Sequence, residues 1–109
     1  MEERRVLISR QDFIFTIGYE GNVAVVDGAL KKRFGSLSTE QLAEKQLYKQ
    51  AISSAVYEES SGKAAGEALQ AVLEIYNRNA VKKIGSIAEL KRTFGVQEVP
   101  EGIAKVSVI

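Results

Sequence analysis

The sequence contains no cysteine, no histidine and no tryptophan, and it has a single proline. Without cysteine there is no disulfide framework, no thiolate nucleophile and no zinc ribbon. Without histidine the chain lacks the commonest general acid or base and the commonest transition-metal ligand, and every Ser-His-Asp or Cys-His arrangement is excluded. We therefore predict no catalytic residue, no metal ligand and no cofactor, and we expect the protein not to be an enzyme.

A large charge of one sign and long apolar runs are also missing. Fifteen basic and 14 acidic residues give a net charge of +1, so no overall field attracts nucleic acid or an anionic membrane. No apolar run approaches the roughly 18 residues of a membrane span. The short run Val6–Ile8 is too brief for a signal peptide. The sequence therefore predicts a cytoplasmic protein with no membrane partner.

The composition that is present suits one folded domain. The chain has 109 residues, of which 45% are hydrophobic and 27% are charged, as in ordinary globular proteins. A chain of this length buries roughly 60–70% of its unfolded surface, which is enough for one core. We predict a single domain over residues 1–109.

The stretch Phe13–Asp27 carries the strongest secondary-structure pattern. β-Branched and aromatic residues flank a Glu-Gly-Asn turn, which predicts a β-hairpin whose first strand begins at Phe13. Before it, Val6–Ser9 is a short β-like run that we interpret as an edge strand. The polar residues between these two segments are expected to separate them.

Two registers of the hairpin remain open. A two-residue turn at Gly21-Asn22 would place Tyr19 opposite Ala24. The same turn would place Ile17 opposite Val26. A turn one residue earlier would shift the register by one position and exchange the two faces.

Helical patterns occupy the middle of the chain. They cover Ala29–Phe34, Thr39–Val56, Lys63–Val81 and Ser86–Phe94. The second pattern has a gap in its apolar stripe between Ala43 and Leu47, which favours a break into two shorter helices.

Capping signals mark the helix ends. Ser38 with Gln41, and Ser86 with Glu89, match capping boxes. Gly35 is a candidate C-cap. The sequence Ser60-Ser61-Gly62 predicts a loop. Gly66 lies inside the third helical pattern, where close approach of another backbone is its simplest explanation.

The end of the chain favours a last strand. Val99–Gly102 has the composition of a turn, and Ile103–Ile109 alternates apolar and polar residues. We expect this strand to pair with Val6–Ser9 or with the hairpin. The predicted fold is α+β, with an N-terminal β-hairpin and a C-terminal strand in a small, mostly antiparallel sheet packed against three or four helices.

Two similar segments lie sixty positions apart. Leu30–Gly35 and Leu90–Gly95 both follow the pattern Leu-Lys-x-x-Phe-Gly. A duplication would explain them, but six positions are few. Each feature also has a local reason, because cations suit the last turn of a helix and glycine suits its C-cap.

Basic segments provide a candidate anion or nucleic-acid patch. Its members are Lys31, Lys32, Arg33, Lys82, Lys83, Lys91 and Arg92. If folding gathered them, they would follow a phosphate backbone, and Phe34 and Phe94 would stack on bases. Solvated helix ends explain the same residues more simply, so nucleic-acid binding is the alternative function and not the first.

Carboxylates without histidine are the remaining route to catalysis. Asp12, Glu20, Asp27 and Glu58 are the candidates, and no characteristic spacing distinguishes any of them. Asp27 follows a predicted strand, where turn formation is its simplest role.

Surplus apolar residues favour a protein interface. The hairpin carries apolar residues on both faces, and the helices have wide apolar stripes with tyrosines that suit interfaces. The candidate interface residues are Ile14, Tyr19, Val23, Val25, Tyr48 and Tyr76. We predict a non-enzymatic protein-interaction or structural domain that binds a protein partner or self-associates.

Overall fold

A computed structural model describes residues 8–60, 67–96, 98–100 and 103–109. Within these ranges it contains α1 (Arg10–Ile14), β1 (Thr16–Glu20), β2 (Val23–Val26), α2 (Gly28–Phe34), α3 (Thr39–Glu44), α4 (Tyr48–Ser60), α5 (Glu67–Asn79), α6 (Ile87–Phe94) and β3 (Lys105–Val108). The predicted α+β class is confirmed, with six helices in the described ranges instead of three or four.

The chain divides into two units. The sheet unit comprises Met1–Gly35 and Val99–Ile109, and the helical unit comprises Ser36–Glu98. The single domain over the whole chain stays a prediction. Some expected features lie outside the described residues: strand residues 6–7, loop residues 61–62, the glycine at position 66 and turn residues 101–102.

The sheet has the strand order β1-β2-β3. β1 and β2 are antiparallel, whereas β3 runs parallel to β2, with Ala24 opposite Val106 and Val26 opposite Val108. The expected pairing of the last strand with the hairpin is confirmed, although the sequence favoured a mostly antiparallel sheet. Ile8 and Ser9 lie outside any strand, so the edge strand expected there is wrong for these two residues.

The hairpin has the two-residue turn at Gly21-Asn22, with Tyr19 opposite Ala24. Gly21 has a φ of 61°, which glycine adopts without the steric cost that other residues meet. The expected pairing of Ile17 with Val26 is wrong. Thr16 takes that place, because a β-bulge between Thr16 and Gly18 shifts the register.

The first strand begins later than predicted, because Phe13 and Ile14 belong to α1. Ser9 is the N-cap of this helix, and its side chain accepts a hydrogen bond from the Asp12 backbone N–H at 3.2 Å. Asp12 in the first turn also suits the helix dipole. The polar residues interpreted as a strand break therefore start a helix. Phe13, Ile14 and Phe15 are all buried in the core.

An ion pair and a helix cap order the rest of the sheet unit. Lys31 Nζ on α2 lies 2.7 Å from Asp12 Oδ1 on α1. Asp27 caps α2 by accepting a hydrogen bond from the Leu30 backbone N–H at 3.1 Å. The Gly28 backbone N–H donates to the Ile109 carbonyl at 3.0 Å, which ties the start of α2 to the end of β3.

The predicted break between α3 and α4 is confirmed. The capping box of Ser38 and Gln41 starts α3 with both of its hydrogen bonds present. At the other end, Gln46 has a φ of 64°, and its N–H donates to the Ala43 carbonyl while the Leu47 N–H donates to the Leu42 carbonyl. These two bonds form a Schellman motif with glutamine in the left-handed position that usually holds glycine.

We expect Gln46→Gly to stabilise the protein by about 1 kcal/mol, because glycine occupies the left-handed region without the Cβ strain of glutamine. The Gln46→Ala variant is the control and should gain nothing, since alanine keeps the Cβ. At the end of α6, Gly95 has a φ of 69° in the same motif, so Gly95→Gln should lose about as much. Urea unfolding measures all three, and a gain in Gln46→Ala equal to that of Gln46→Gly would contradict the explanation.

The segments Leu30–Gly35 and Leu90–Gly95 end differently. Gly35 follows α2 with a right-handed φ of −65°, whereas Gly95 follows α6 in the left-handed conformation. Ser86 caps α6 through the Glu89 N–H, but the Glu89 carboxylate accepts from the Gly85 N–H and not from that of Ser86. The second capping box is therefore only half formed.

The core of the helical unit lies between α3, α4 and α5, which pack against one another. Its fully buried members include Leu42, Ala51, Ile52, Ala55, Val72 and Leu90. Asn77, near the end of α5, holds the segment that follows the helix in place. Its side-chain amide donates to the Ile84 carbonyl and accepts from the Ile84 N–H. Over the part of the chain that the structure describes, none of the helices has both the length and the apolar character to cross a membrane.

Candidate interaction surfaces

The exposed apolar side chains concentrate on the sheet. Among the described residues, five large apolar side chains are exposed, and four of them lie on an edge strand or directly after it. They are Ile17 and Tyr19 on β1, which are 56% and 43% exposed, and Val108 and Ile109 at the end of β3, which are 56% and 71% exposed. We call these four residues the edge-strand apolar group.

The register explains why Tyr19 and Val108 are exposed. Ala24 and Val26 on the central strand are completely buried, and their neighbours Tyr19 and Val108 lie on the same sheet face but on the outer strands. Partial burial raises the pKa of the Tyr19 phenol above its ordinary value, although a hydrogen bond with Thr16 acts in the opposite direction. The ring is therefore partly desolvated and partly available for a contact.

The other face of the sheet is more polar than the sequence predicted. Val23 and Val25 lie there and are half-buried. Val23 pairs with Glu20 and Lys105 on the two outer strands, so charged side chains flank it. The candidate Ile14 belongs to a helix instead, and it is only 3% exposed. Ile14 therefore does not share a strand face with Val23 and Val25.

Tyr48 and Tyr76 are brought together, along with Phe94. The tyrosine ring centroids are 5.0 Å apart, and those of Phe94 lie 5.9 Å from Tyr48 and 5.7 Å from Tyr76. Two of these contacts are edge-to-face, which is a favourable arrangement worth about 0.5–1.5 kcal/mol per pair. All three rings are half-buried, so this cluster primarily joins α4, α5 and α6.

The basic candidates divide between the units. Lys31, Lys32 and Arg33 belong to the sheet unit, and Lys82, Lys83, Lys91 and Arg92 belong to the helical unit. Two of them have acidic partners, since Lys31 pairs with Asp12 and Lys91 lies 3.4 Å from Glu98. Lys83 donates to the Asn77 carbonyl at 3.1 Å. The single basic patch stays a prediction.

An acidic groove, which the sequence did not reveal, lies in the helical unit. It has a volume of about 430 Å³ and is lined by Ser38, Thr39, Glu40, Glu58, Glu67, Ala68 and Ala71. Beside it, the buried Thr39 hydroxyl lies 2.7 Å from the Ser54 hydroxyl and donates to the Glu58 carboxylate at 3.0 Å. The glutamates come from α3, α4 and α5, which are far apart in sequence, so no spacing could have predicted the groove.

Three of the four carboxylate candidates have separate structural partners, and Glu20 is exposed at the end of β1. Asp12 pairs with Lys31, Asp27 caps α2, and Glu58 accepts from Thr39. Nowhere in the described ranges do three His, Cys, Asp or Glu side chains gather closely enough to hold a metal ion.

Comparison with protein-family models, with curated proteins and with solved structures finds no match to this chain. The site must therefore be interpreted from its geometry alone.

Proposed function

We propose that this protein is a non-enzymatic interaction domain of the cytoplasm that self-associates through the edge strands of its sheet. The observation that supports the proposal is the edge-strand apolar group, because large apolar side chains on outer strands favour pairing with another sheet. The absence of cysteine from the sequence supports a reducing compartment.

Two features limit how the strands pair. The bulge in β1 between Thr16 and Gly18 interrupts its regular hydrogen-bonding edge, and Lys105 places a charge at the start of β3. Both features disfavour open-ended strand addition. Contact through the side chains of Ile17, Tyr19 and Val108 is therefore the favoured mode of association. Such a contact closes between two copies, as most homo-oligomeric contacts do.

We expect wild-type protein to shift from monomer to dimer as its concentration rises, and Tyr19→Lys and Val108→Lys to weaken this dimer. Each substitution removes about 1.5 kcal/mol of apolar burial per copy and places a charge in the contact, so the dissociation constant should rise roughly 100-fold or more in a two-fold dimer. Size-exclusion chromatography with light scattering measures it over a series of concentrations in about 500 mM NaCl, where contacts between exposed charges are screened.

The matched control is Ala88→Lys, which adds the same charge to an exposed position on α6 in the helical unit. It should dimerise as wild type does. A wild-type protein that stays monomeric at millimolar concentration, or two lysine variants that dimerise unchanged, would refute the proposal.

A further inference from the structure

The exposed stripe of α5 has opposite charges at its two ends. Residues three or four positions apart share one side of a helix, and here they are Glu67, Gln70, Glu74 and Arg78, all of them exposed. The fully exposed Val81 and the exposed Lys82 and Lys83 follow directly. The stripe is therefore acidic over its first half and basic over its end.

A stripe of this kind is complementary to itself only in an antiparallel arrangement. A two-fold axis midway between Glu74 and Arg78 brings each of these residues opposite the other in the second copy. A parallel arrangement would place glutamate against glutamate, which is unfavourable. Within one chain Arg78 lies 3.8 Å from Glu44, but both side chains are more than half exposed, so Arg78 remains accessible.

The same axis brings the basic segment of one copy to the acidic groove of the other. Val81, which follows the end of α5 in one copy, is thereby brought toward the start of α5 in the other, where Ala68 and Ala71 line the groove. The lysines that follow Val81 then lie near the glutamates of the groove, which include Glu40 and Glu67. A groove lined by two alanines and three glutamates suits a valine followed by two lysines in polarity and charge.

The contact must join two copies, because one chain cannot make it. The groove lies at the start of α5 and the basic segment follows its end, and 13 helical residues at about 1.5 Å each separate them by roughly 20 Å. We propose that a second copy of this chain docks antiparallel on α5, with Val81, Lys82 and Lys83 of each copy seated in the acidic groove of the other.

This contact is independent of the sheet contact and differs from it in chemistry. It lies wholly in the helical unit and depends on exposed charges, so salt weakens it, whereas apolar association through the sheet is little affected. Raising the NaCl concentration from about 50 mM to about 500 mM should increase its dissociation constant at least about tenfold.

Charge-swapped variants test the geometry. The basic variant carries Glu67→Lys and Glu74→Lys, and the acidic variant carries Arg78→Glu and Lys82→Glu. Both also carry Tyr19→Lys and Val108→Lys, which remove the sheet contact. Each variant alone has a stripe of one sign and should be monomeric at low salt. Mixed in equal amounts, they should form a heterodimer that dissociates at high salt, as seen by sedimentation velocity.

The control replaces the basic variant by one with Glu20→Lys and Glu98→Lys in the same Tyr19→Lys and Val108→Lys background, which has the same net charge and an unchanged stripe. It should still self-associate through its unchanged stripe but should not pair with the acidic variant, so general attraction between oppositely charged proteins is separated from the α5 contact. Circular dichroism confirms that every variant is folded. A mixture of folded swapped variants that stays monomeric, or that associates equally with the control, overturns the inference. Its failure leaves the sheet contact untouched, since the lysine variants at Tyr19 and Val108 test that separately.

Discussion

Replacing Ile52 by alanine is expected to lower the free energy of unfolding by about 3–4 kcal/mol. Ile52 lies on α4 and is completely buried in the helical unit, where α3 and α5 pack against its helix. Removing its methyl and methylene groups loses their transfer free energy and leaves a cavity that close-packed neighbours fill only in part. A domain of this size has a total stability of roughly 5–15 kcal/mol, so the loss is a large fraction of it.

The matched control for this substitution is Ile87→Ala. Ile87 is also a helical isoleucine of the helical unit, but it begins α6 and is only half-buried. Its loss should be less than half that of Ile52, because it contributes less buried area and water can occupy the space. Urea unfolding followed by circular dichroism measures both. Equal losses would show that the core does not lie where the structure places it.

The sequence predicted those parts of the fold that depend on local signals. Ser38 with Gln41 identified the start of α3, and the gap in the apolar stripe after Ala43 identified the break before α4. The turn at Gly21-Asn22 was recognisable because glycine readily supplies the positive φ that a two-residue turn needs. Each of these signals acts over a few residues, so one sequence is enough to read them.

Features decided by competition or by distant contacts were not predictable. Phe13 and Ile14 favour a strand by composition, yet the cap at Ser9 and the ion pair of Asp12 with Lys31 place them in a helix. The parallel pairing of β3 depends on how the chain returns after more than seventy residues, which local propensity does not encode. These are the cases in which tertiary contacts override local preference.

The candidate surfaces follow the same distinction. The sequence named Tyr19 as a candidate interface residue, and the structure leaves this side chain 43% exposed. It missed Ile17, Val108 and Ile109, whose exposure follows from being on outer strands and so requires the strand order. It also missed the acidic groove, since α3, α4 and α5 each contribute one of its glutamates. One feature of this surface is visible in the sequence, namely the change from acidic to basic residues along α5.

Replacing Gly28 by alanine is expected to lower the free energy of unfolding by about 2 kcal/mol, although alanine is normally the better helix former. A Cβ at this position would lie 2.7 Å from Val108 Cγ1 and 2.9 Å from the Ile109 carbonyl oxygen. Neither distance is tolerable, and the second involves backbone. The start of α2 would have to move away from β3, which weakens the hydrogen bond from the Gly28 N–H to Ile109.

The control is Gly18→Ala in the same sheet, where an added Cβ has no atom within 4 Å. It should be close to neutral, so the comparison isolates the close approach from the general effect of adding a methyl group. Hydrogen exchange adds a local readout, because the Ile109 amide donates to Val26 and should lose protection in Gly28→Ala. Since α2 holds the end of β3 in place, Gly28→Ala should also weaken any dimer that uses Val108. A destabilised Gly28→Ala with unchanged protection of Ile109 would mean that the strain is relieved within α2, and the proposed edge contact would then not depend on this helix.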